Sequence, residues 1–248
     1  MIEFAYPLFV LPFALATIVI AGLGLPPWDK TLLCLELILI GVIAGSSGMR
    51  IFEKRGPISK KFAPYFFGVA AVLFLLISLS LNWFTFILSP LAFSLIPSYF
   101  YTKRFARGNR LGTGIALGLI PFFLWIGMRG SVATLGVILS LAVITWMIGS
   151  DLLHHPPFAK APGLSRIFHG TFLFFLFLFG GLAGFGTSYL VLMMGMGILL
   201  YWEHRLTPRL AGRHANTLFW TMNGLTGLCF FLGTLAEFHL PYFVVTVP

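Results

Sequence analysis

Acidic side chains are scarce in this 248-residue chain, and that scarcity limits its chemistry. Asp29 and Asp151 are its only aspartates, and Glu53 is the one acid in the basic stretch after the second apolar run. Phosphate chemistry with Mg²⁺ draws on several convergent carboxylates. Asp151 alone is open to two readings, a single metal ligand or an interfacial acid paired with a nearby Arg or Lys. Lys54 and Arg55, within the densest basic run, are suited to an anionic lipid headgroup and equally to ordinary anchoring on the positive face of a membrane protein. His154 and His155 adjoin a Pro-rich stretch and His169 starts the next apolar run. Haem ligation needs histidines on facing helices at similar depth, which adjacent histidines in a proline loop do not supply. Zinc needs three or four convergent ligands. No metal site is assigned. Glu203 and His204, at the end of the eighth apolar run, read as a structural hydrogen-bonding pair. No P-loop, Rossmann glycine pattern, nucleophile elbow or metalloprotease motif occurs.

The elements that position these residues are set by composition. Hydrophobic residues make up 58% of the chain and charged residues 9%. A soluble domain carries about 25% charged residues. The chain lacks the polar surface to coat a water-soluble globule, so it reads as a polytopic protein of the cell membrane. The net charge of +9 would suggest nucleic acid in a soluble protein, but here it marks the cytoplasmic loops, and no nucleic-acid partner is expected. Cys34 and Cys229 sit in apolar runs and read as small buried hydrophobes. The first apolar run lacks a basic n-region and a small-residue cleavage signature, so it reads as a retained helix.

Nine apolar stretches approach the length of a bilayer crossing. They cover about 6–23, 31–49, 63–81, 84–102, 111–128, 131–151, 165–183, 187–204 and 217–240. Every Lys and Arg except Lys30 and Arg129 falls in the second, fourth, sixth or eighth connection. That asymmetry predicts a cytoplasmic N-terminus and a C-terminus outside. Gly41 and Gly45 form a small-xxx-small pair of the kind that lets helices pack closely. Prolines 12, 90, 97 and 121 fall within or near helix interiors, where neighbouring helices satisfy the freed carbonyls. No repeat divides the chain, and residues 1–248 read as one transmembrane domain. The expected class is all-α.

Five stretches carry a resemblance. They are YPLFVLPFALA (6–16), LSPLAFSLIPSYFYTKRF (88–105), LGTGIALGLIPFFLWIGMRGS (111–131), WMIGSD (146–151), and LLYWEHRL with TMNGLTG (199–206 and 221–227). In this order they resemble the UbiA-type membrane prenyltransferases, in the 4-hydroxybenzoate polyprenyltransferase-like branch. The resemblance implies a nine-helix bundle. It also implies prenyl transfer from a diphosphate, with Mg²⁺ held by an Asn-x-x-x-Asp segment after the second helix and an Asp-x-x-Tyr-x-x-x-Asp-x-x-x-Asp segment after the sixth. Lys103 and Arg104 resemble the family's basic cluster beside the active-site mouth, which implies that with Lys54 and Arg55 they could hold an anionic headgroup or a phosphate; a positive-inside anchor is the other reading. Neither segment is intact. GMRIFEKRGPISKK (48–61) has Phe52 where the asparagine belongs, and the loop is short. In DLLHHPPFAKAPGLSR (151–166), Asp151 matches the first aspartate, His154 replaces the tyrosine, and Phe158 and Pro162 replace the later aspartates. Proline removes donors and fixes φ, so the short helix that presents this second segment is not expected.

The resulting expectation is a UbiA-like protein that has lost Mg-dependent prenyl transfer. It would be a non-catalytic subunit of a membrane complex or a holder of a quinone or lipid. Its partners would be membrane lipids, other membrane-protein subunits and an isoprenoid or quinone ligand. Two alternatives stay open: a divergent active prenyltransferase in quinone synthesis, in which Mg or the basic residues act on the diphosphate, and a carrier of a prenylated lipid. The 28 phenylalanines fit a cavity that stabilises a carbocation, or simply a lipid-facing surface. Transport has less support, because no charge stands clearly at a helix centre.

Overall fold

A chain surrounded by lipid must satisfy its backbone polar groups internally, and helices do this within each segment. The computed structural model describes residues 6–52, 54, 58–105, 110–154, 162–210 and 212–239. It contains, among the described residues, helices α1 (Tyr6–Ala21), α2 (Trp28–Phe52), α3 (Ala63–Leu81), α4 (Trp83–Phe105), α5 (Arg110–Arg129), α6 (Thr134–His154), α7 (Pro162–Ala183), α8 (Thr187–Leu206) and α9 (Gly212–His239). A 3₁₀ turn, Thr207–Arg209, links the last two. Each apolar stretch in the sequence became one helix, with ends shifted by a few residues. Among the described residues, five helices are long and apolar enough to cross a membrane. α1, α4 and α5 contribute shorter apolar segments. The chain is therefore an all-α, multi-pass membrane protein.

The odd-numbered connections are tight, and side chains stitch them together. Only Asn82 separates α3 from α4. Its Oδ1 accepts from the backbone N–H and the hydroxyl of Thr85, 2.8 and 3.0 Å away, which caps the start of α4. Its Nδ2 donates to the carbonyls of Ile126 and Gly127, both at 3.0 Å, and these are end groups of α5. Lys30 Nζ donates to the neighbouring Met128 carbonyl at 3.1 Å. The Ile126 carbonyl also accepts the Gly130 N–H at 2.7 Å, whereas Gly127 and Met128 are among the last carbonyls of α5, for which these side chains take the place of water. Gly130, at φ 68°, then reverses the chain where a Cβ would be strained.

Glu237 performs the matching task for α8. Its carboxylate, buried on α9, accepts from the backbone N–H of Gly186 (2.8 Å) and of Tyr189 (2.7 Å). A carboxylate is favoured at a helix N-terminus, where free N–H groups and the macrodipole both attract it.

α1 divides the bundle, packing against α9, α5 and α6. Phe13 stacks on Phe230 at 4.7 Å and 18° and meets Trp146 at 4.9 Å; Phe172 closes against Trp146 at 5.9 Å. Phe13, Trp146, Phe172, Phe179, Tyr189 and Phe230 are all completely enclosed or nearly so. In the same half, helices meet through glycine. A Cβ on Gly118 would lie 2.7 Å from the Ile144 backbone nitrogen, and one on Gly149 2.7 Å from His169 Nε2. Gly41 and Gly45 behave differently. A Cβ at either would meet nothing within 4 Å. The small-xxx-small pair on α2 thus corrects its sequence expectation: it opens space instead of closing a helix contact.

Candidate functional site: an apolar cavity and a buried polar network

The space beside Gly41 and Gly45 is a cavity of about 310 Å³ bounded by α1 to α5. Val10 and Ala14 of α1, Leu37 and Met49 of α2, Phe74 of α3, Leu95 of α4 and Phe123 of α5 help to form its wall. Among the described residues, the one hydroxyl in the lining is Ser46, whose Oγ donates to the Val42 carbonyl at 2.7 Å. Leu91 both lines the cavity and is 65% exposed on the outer surface. The wall is therefore open beside α4 to the surrounding hydrocarbon. An almost wholly apolar chamber with that opening suits a hydrocarbon tail and offers no partner for a polar head within it.

A second assembly lies where α6, α7, α8 and α9 converge near the even-numbered connections. Glu203 Oε1 accepts from His154 Nε2 and from Asn223 Nδ2, each at 2.8 Å. Ser150 Oγ donates to Asn223 Oδ1 at 2.7 Å and lies 3.2 Å from His169 Nε2. His169 Nδ1 lies 3.0 Å from His204 Nε2. The direction of this chain follows from its amide. Asn223 Nδ2 is held by two acceptors, Glu203 Oε1 and the Phe219 carbonyl. Its Oδ1 must then accept the Ser150 proton. The Ser150 oxygen accepts from His169 Nε2–H, leaving His169 Nδ1 to accept from His204 Nε2–H. Both histidines are thus assigned as neutral Nε2–H tautomers, and the run ends on acceptors. Glu203 Oε2 and His204 Nδ1 are buried without a partner among the described residues. Every side chain in the middle of the run is satisfied, as a buried network requires.

The sequence candidates distribute unevenly over these two assemblies. Asp151 lies on α6, 8% exposed, and it is not free of partners. Glu203 and His204 join the network, but each reaches to other helices. His154 belongs to it too. Lys54 follows α2, exposed and left-handed at φ 58°. Lys103 and Arg104 fall in the last turn of α4, with side chains outside the described residues; Arg55, Glu53 and His155 lie outside them altogether. Ser150, His169 and Asn223 were not singled out as a unit by sequence reasoning. The available signal was a polar amide inside an apolar membrane run, which is costly unless paired.

Among the described residues, the donor set does not supply the Mg²⁺ ligands that the resemblance implies. Asp29 begins α2 at the odd-connection end, and Asp151 sits near the other end of the bundle on α6. Among the described residues, no three His, Cys, Asp or Glu side chains come together as a metal site.

No family model matches the sequence, and no curated protein does. Solved structures do match. A UbiA homologue from Aeropyrum pernix K1 superposes with a TM-score of 0.74 at 17% identity, over 94% of this chain and 98% of that one. A digeranylgeranylglyceryl phosphate synthase superposes with a TM-score of 0.66 at 15% identity, over 92% and 93%. The chain is a multi-pass membrane protein with the fold of the UbiA-type prenyltransferases.

Proposed function

We propose that this protein holds the tail of an isoprenoid, quinone or other membrane lipid in the α1–α5 cavity without carrying out Mg-dependent prenyl transfer. The observation that carries this is the cavity itself: about 310 Å³, apolar but for Ser46, and open to lipid beside Leu91. The acid-poor sequence supports the loss of transfer. A leaving diphosphate in a lipid-enclosed site must be neutralised, because an unpaired buried charge costs many kcal/mol. In this reading the even connections face the cytoplasm of the cell membrane, and the protein acts alone as a holder or as a non-catalytic subunit of a larger membrane complex.

Gentle purification from native membranes, with mass spectrometry of the co-purifying lipids and proteins, tests this. Selective retention of one tailed lipid, or a partner at fixed stoichiometry, is the expected result. A lone protein carrying an unselective lipid mixture counts against it.

The UbiA-like fold also favours a second reading, a divergent prenyltransferase in which Lys54, Arg55, Lys103 and Arg104 stand in for the metal. It predicts turnover that resists EDTA and is lost when these residues are neutralised. Inertness toward aromatic acceptors would remove it.

A further inference from the structure

We infer that the turn between α1 and α2, residues 22–28, is a docking knuckle for a partner protein that presents an apolar pocket with a basic rim. This rests on the subunit form of the role proposed above and names the surface that form would use. Among the described residues, three of the four most exposed large apolar side chains lie here: Leu23 is 70% exposed, Leu25 82% and Trp28 80%. Their display is built into the backbone. At the end of α1 the Gly24 N–H donates to the Val19 carbonyl at 2.9 Å and the Leu23 N–H to the Ile20 carbonyl at 3.0 Å. That pattern closes a helix on one left-handed residue, a place glycine usually takes. Here Leu23 takes it, at φ 56°, although glycines flank it on both sides. The conformation is unfavourable for leucine. The turn is also rigid. A Cβ on Gly22 would clash with Pro26, and one on Gly24 would lie 2.8 Å from the Phe238 ring. Pro26 and Pro27 fix φ, and the Pro27 carbonyl accepts from the N–H and the hydroxyl of Thr31 at 2.9 and 2.8 Å. Strain held in a rigid frame suits contact, because preorganised side chains lose little freedom on binding.

The height of the turn points to protein and not to lipid. Gly127 of α5, Leu81 of α3 and Cys34 of α2 lie at one level, since a Cβ on Gly127 would be 3.1 Å from Leu81 Cδ1 and 3.6 Å from Cys34 Sγ. Exposed Trp83 and Arg129 follow just beyond Leu81 and Gly127 and mark the bilayer boundary there. Trp28 stands a further turn and a half out along α2 from Cys34, about 9 Å at the helical rise. A headgroup layer is about 5–8 Å deep, so the knuckle reaches its outer edge, beyond the hydrocarbon. Asp29, exposed beside Trp28, has no partner among the described residues. A cation on the partner complements it, and an aromatic anchor with apolar neighbours fits a pocket.

The test uses the full chain with Cys229→Ser, which leaves buried Cys34 as its native thiol, and with Leu25→Cys added. A membrane-impermeant maleimide is the probe. Its labelling rate is measured on protein in phosphatidylcholine nanodiscs and on open fragments of native membrane, which expose both faces. Labelling should be fast in nanodiscs and about tenfold slower in native membranes, as when only about a tenth of the sites are free at any moment. Val132→Cys, exposed at the α5–α6 connection, should label fast in both. Adding Leu23→Gly and Trp28→Ser to Leu25→Cys removes the apolar contacts, while glycine suits the left-handed turn. That variant should recover the fast rate in native membranes.

Fast labelling at position 25 in both preparations would overturn the inference, since nothing would cover the knuckle. Slow labelling in both would overturn it as well, because the bilayer or the rest of this chain would then be the cover. Slowing at position 132 too, or slowing that survives loss of the apolar side chains, would reveal a general shield and overturn it. The tail-holding and subunit roles fail separately, by co-purification of lipid and protein, whatever these rates are.

Discussion

The two sides of α1 solve the same packing problem in opposite ways. On one side Phe13, Trp146, Phe172 and Phe230 interlock, and glycines on α5 and α6 bring backbones close to neighbouring side chains. On the other side Val10 and Ala14, buried themselves, border the chamber, and Gly41 and Gly45 of α2 have nothing within reach of a Cβ. The same residue type therefore has two meanings in one bundle. Small residues on α6 close a helix interface, whereas on α2 they leave room. In lipid, packing and interhelical hydrogen bonds drive association, because the tails are as apolar as the side chains. An unfilled chamber gives up those contacts, which makes the open half the place to look for a ligand that restores them.

The largest expected difference comes from removing an aromatic ring on the filled side. Phe13→Ala would leave a void among three rings, and should lower stability by about 3 kcal/mol. That is the lower end of the usual range, because lipid replaces water in the unfolded reference. Leu95→Ala, which merely enlarges an existing chamber, should change stability by much less. Thermal unfolding of both variants in one detergent checks this. Equal losses would mean that the cavity is closed in the folded protein.

Cutting the polar network comes next. Asn223→Leu removes the donor to Glu203 and the acceptor for Ser150, stranding groups that are buried on four converging helices. The expected loss is about 2 kcal/mol, within the range for leaving buried polar groups unpaired. Asn223→Asp provides a sharper comparison. It keeps the acceptor for Ser150 but places a second carboxylate against Glu203, so it should be no better tolerated than leucine. If aspartate is accepted as readily as asparagine, the direction assigned to the Ser150–His169–His204 run is wrong. Nitrogen-15 spectra of labelled histidine should show Nε2–H tautomers for His169 and His204.

Glycine substitutions bring the comparison down to single atoms. Gly149→Ala forces a methyl into contact with the His169 ring, and should cost about 1–3 kcal/mol as overpacking does. Gly45→Ala adds the same methyl to open space. It should be neutral or stabilising by about 0.5–1 kcal/mol, the ordinary gain of alanine over glycine within a helix. A matched loss at both positions would show that the α2 face is occupied by protein.

How much of this was legible beforehand differs between the halves for a physical reason. Helix number and extent follow from runs of apolar residues and from the placement of Lys and Arg, both of which are local in sequence. Asn82 and Gly130 sat visibly at the short odd connections. The network was only half visible: Glu203, His204 and His154 were noticed for their chemistry, but nothing in the spacing of Ser150, His169 and Asn223 says that four helices bring them together. A lipid-holding cavity was among the expectations, but its place in the bundle was hidden. Gly41 and Gly45 carry the same pattern whether a neighbouring helix fills the groove or leaves it open, and only the tertiary arrangement decides.

The smallest expected effect lies at the rim of the open half. Lys54 adopts a left-handed conformation at φ 58°, which costs a side-chain-bearing residue about 1 kcal/mol and costs glycine little. Its backbone carbonyl, not its ammonium, accepts the Arg50 hydrogen bond. Lys54→Gly should therefore keep Arg50 in place while gaining up to about 1 kcal/mol in stability, less glycine's larger entropy loss on folding. Thermal unfolding of Lys54→Gly beside the wild type checks this, and a clear loss of stability would mean that the left-handed residue is held there without strain.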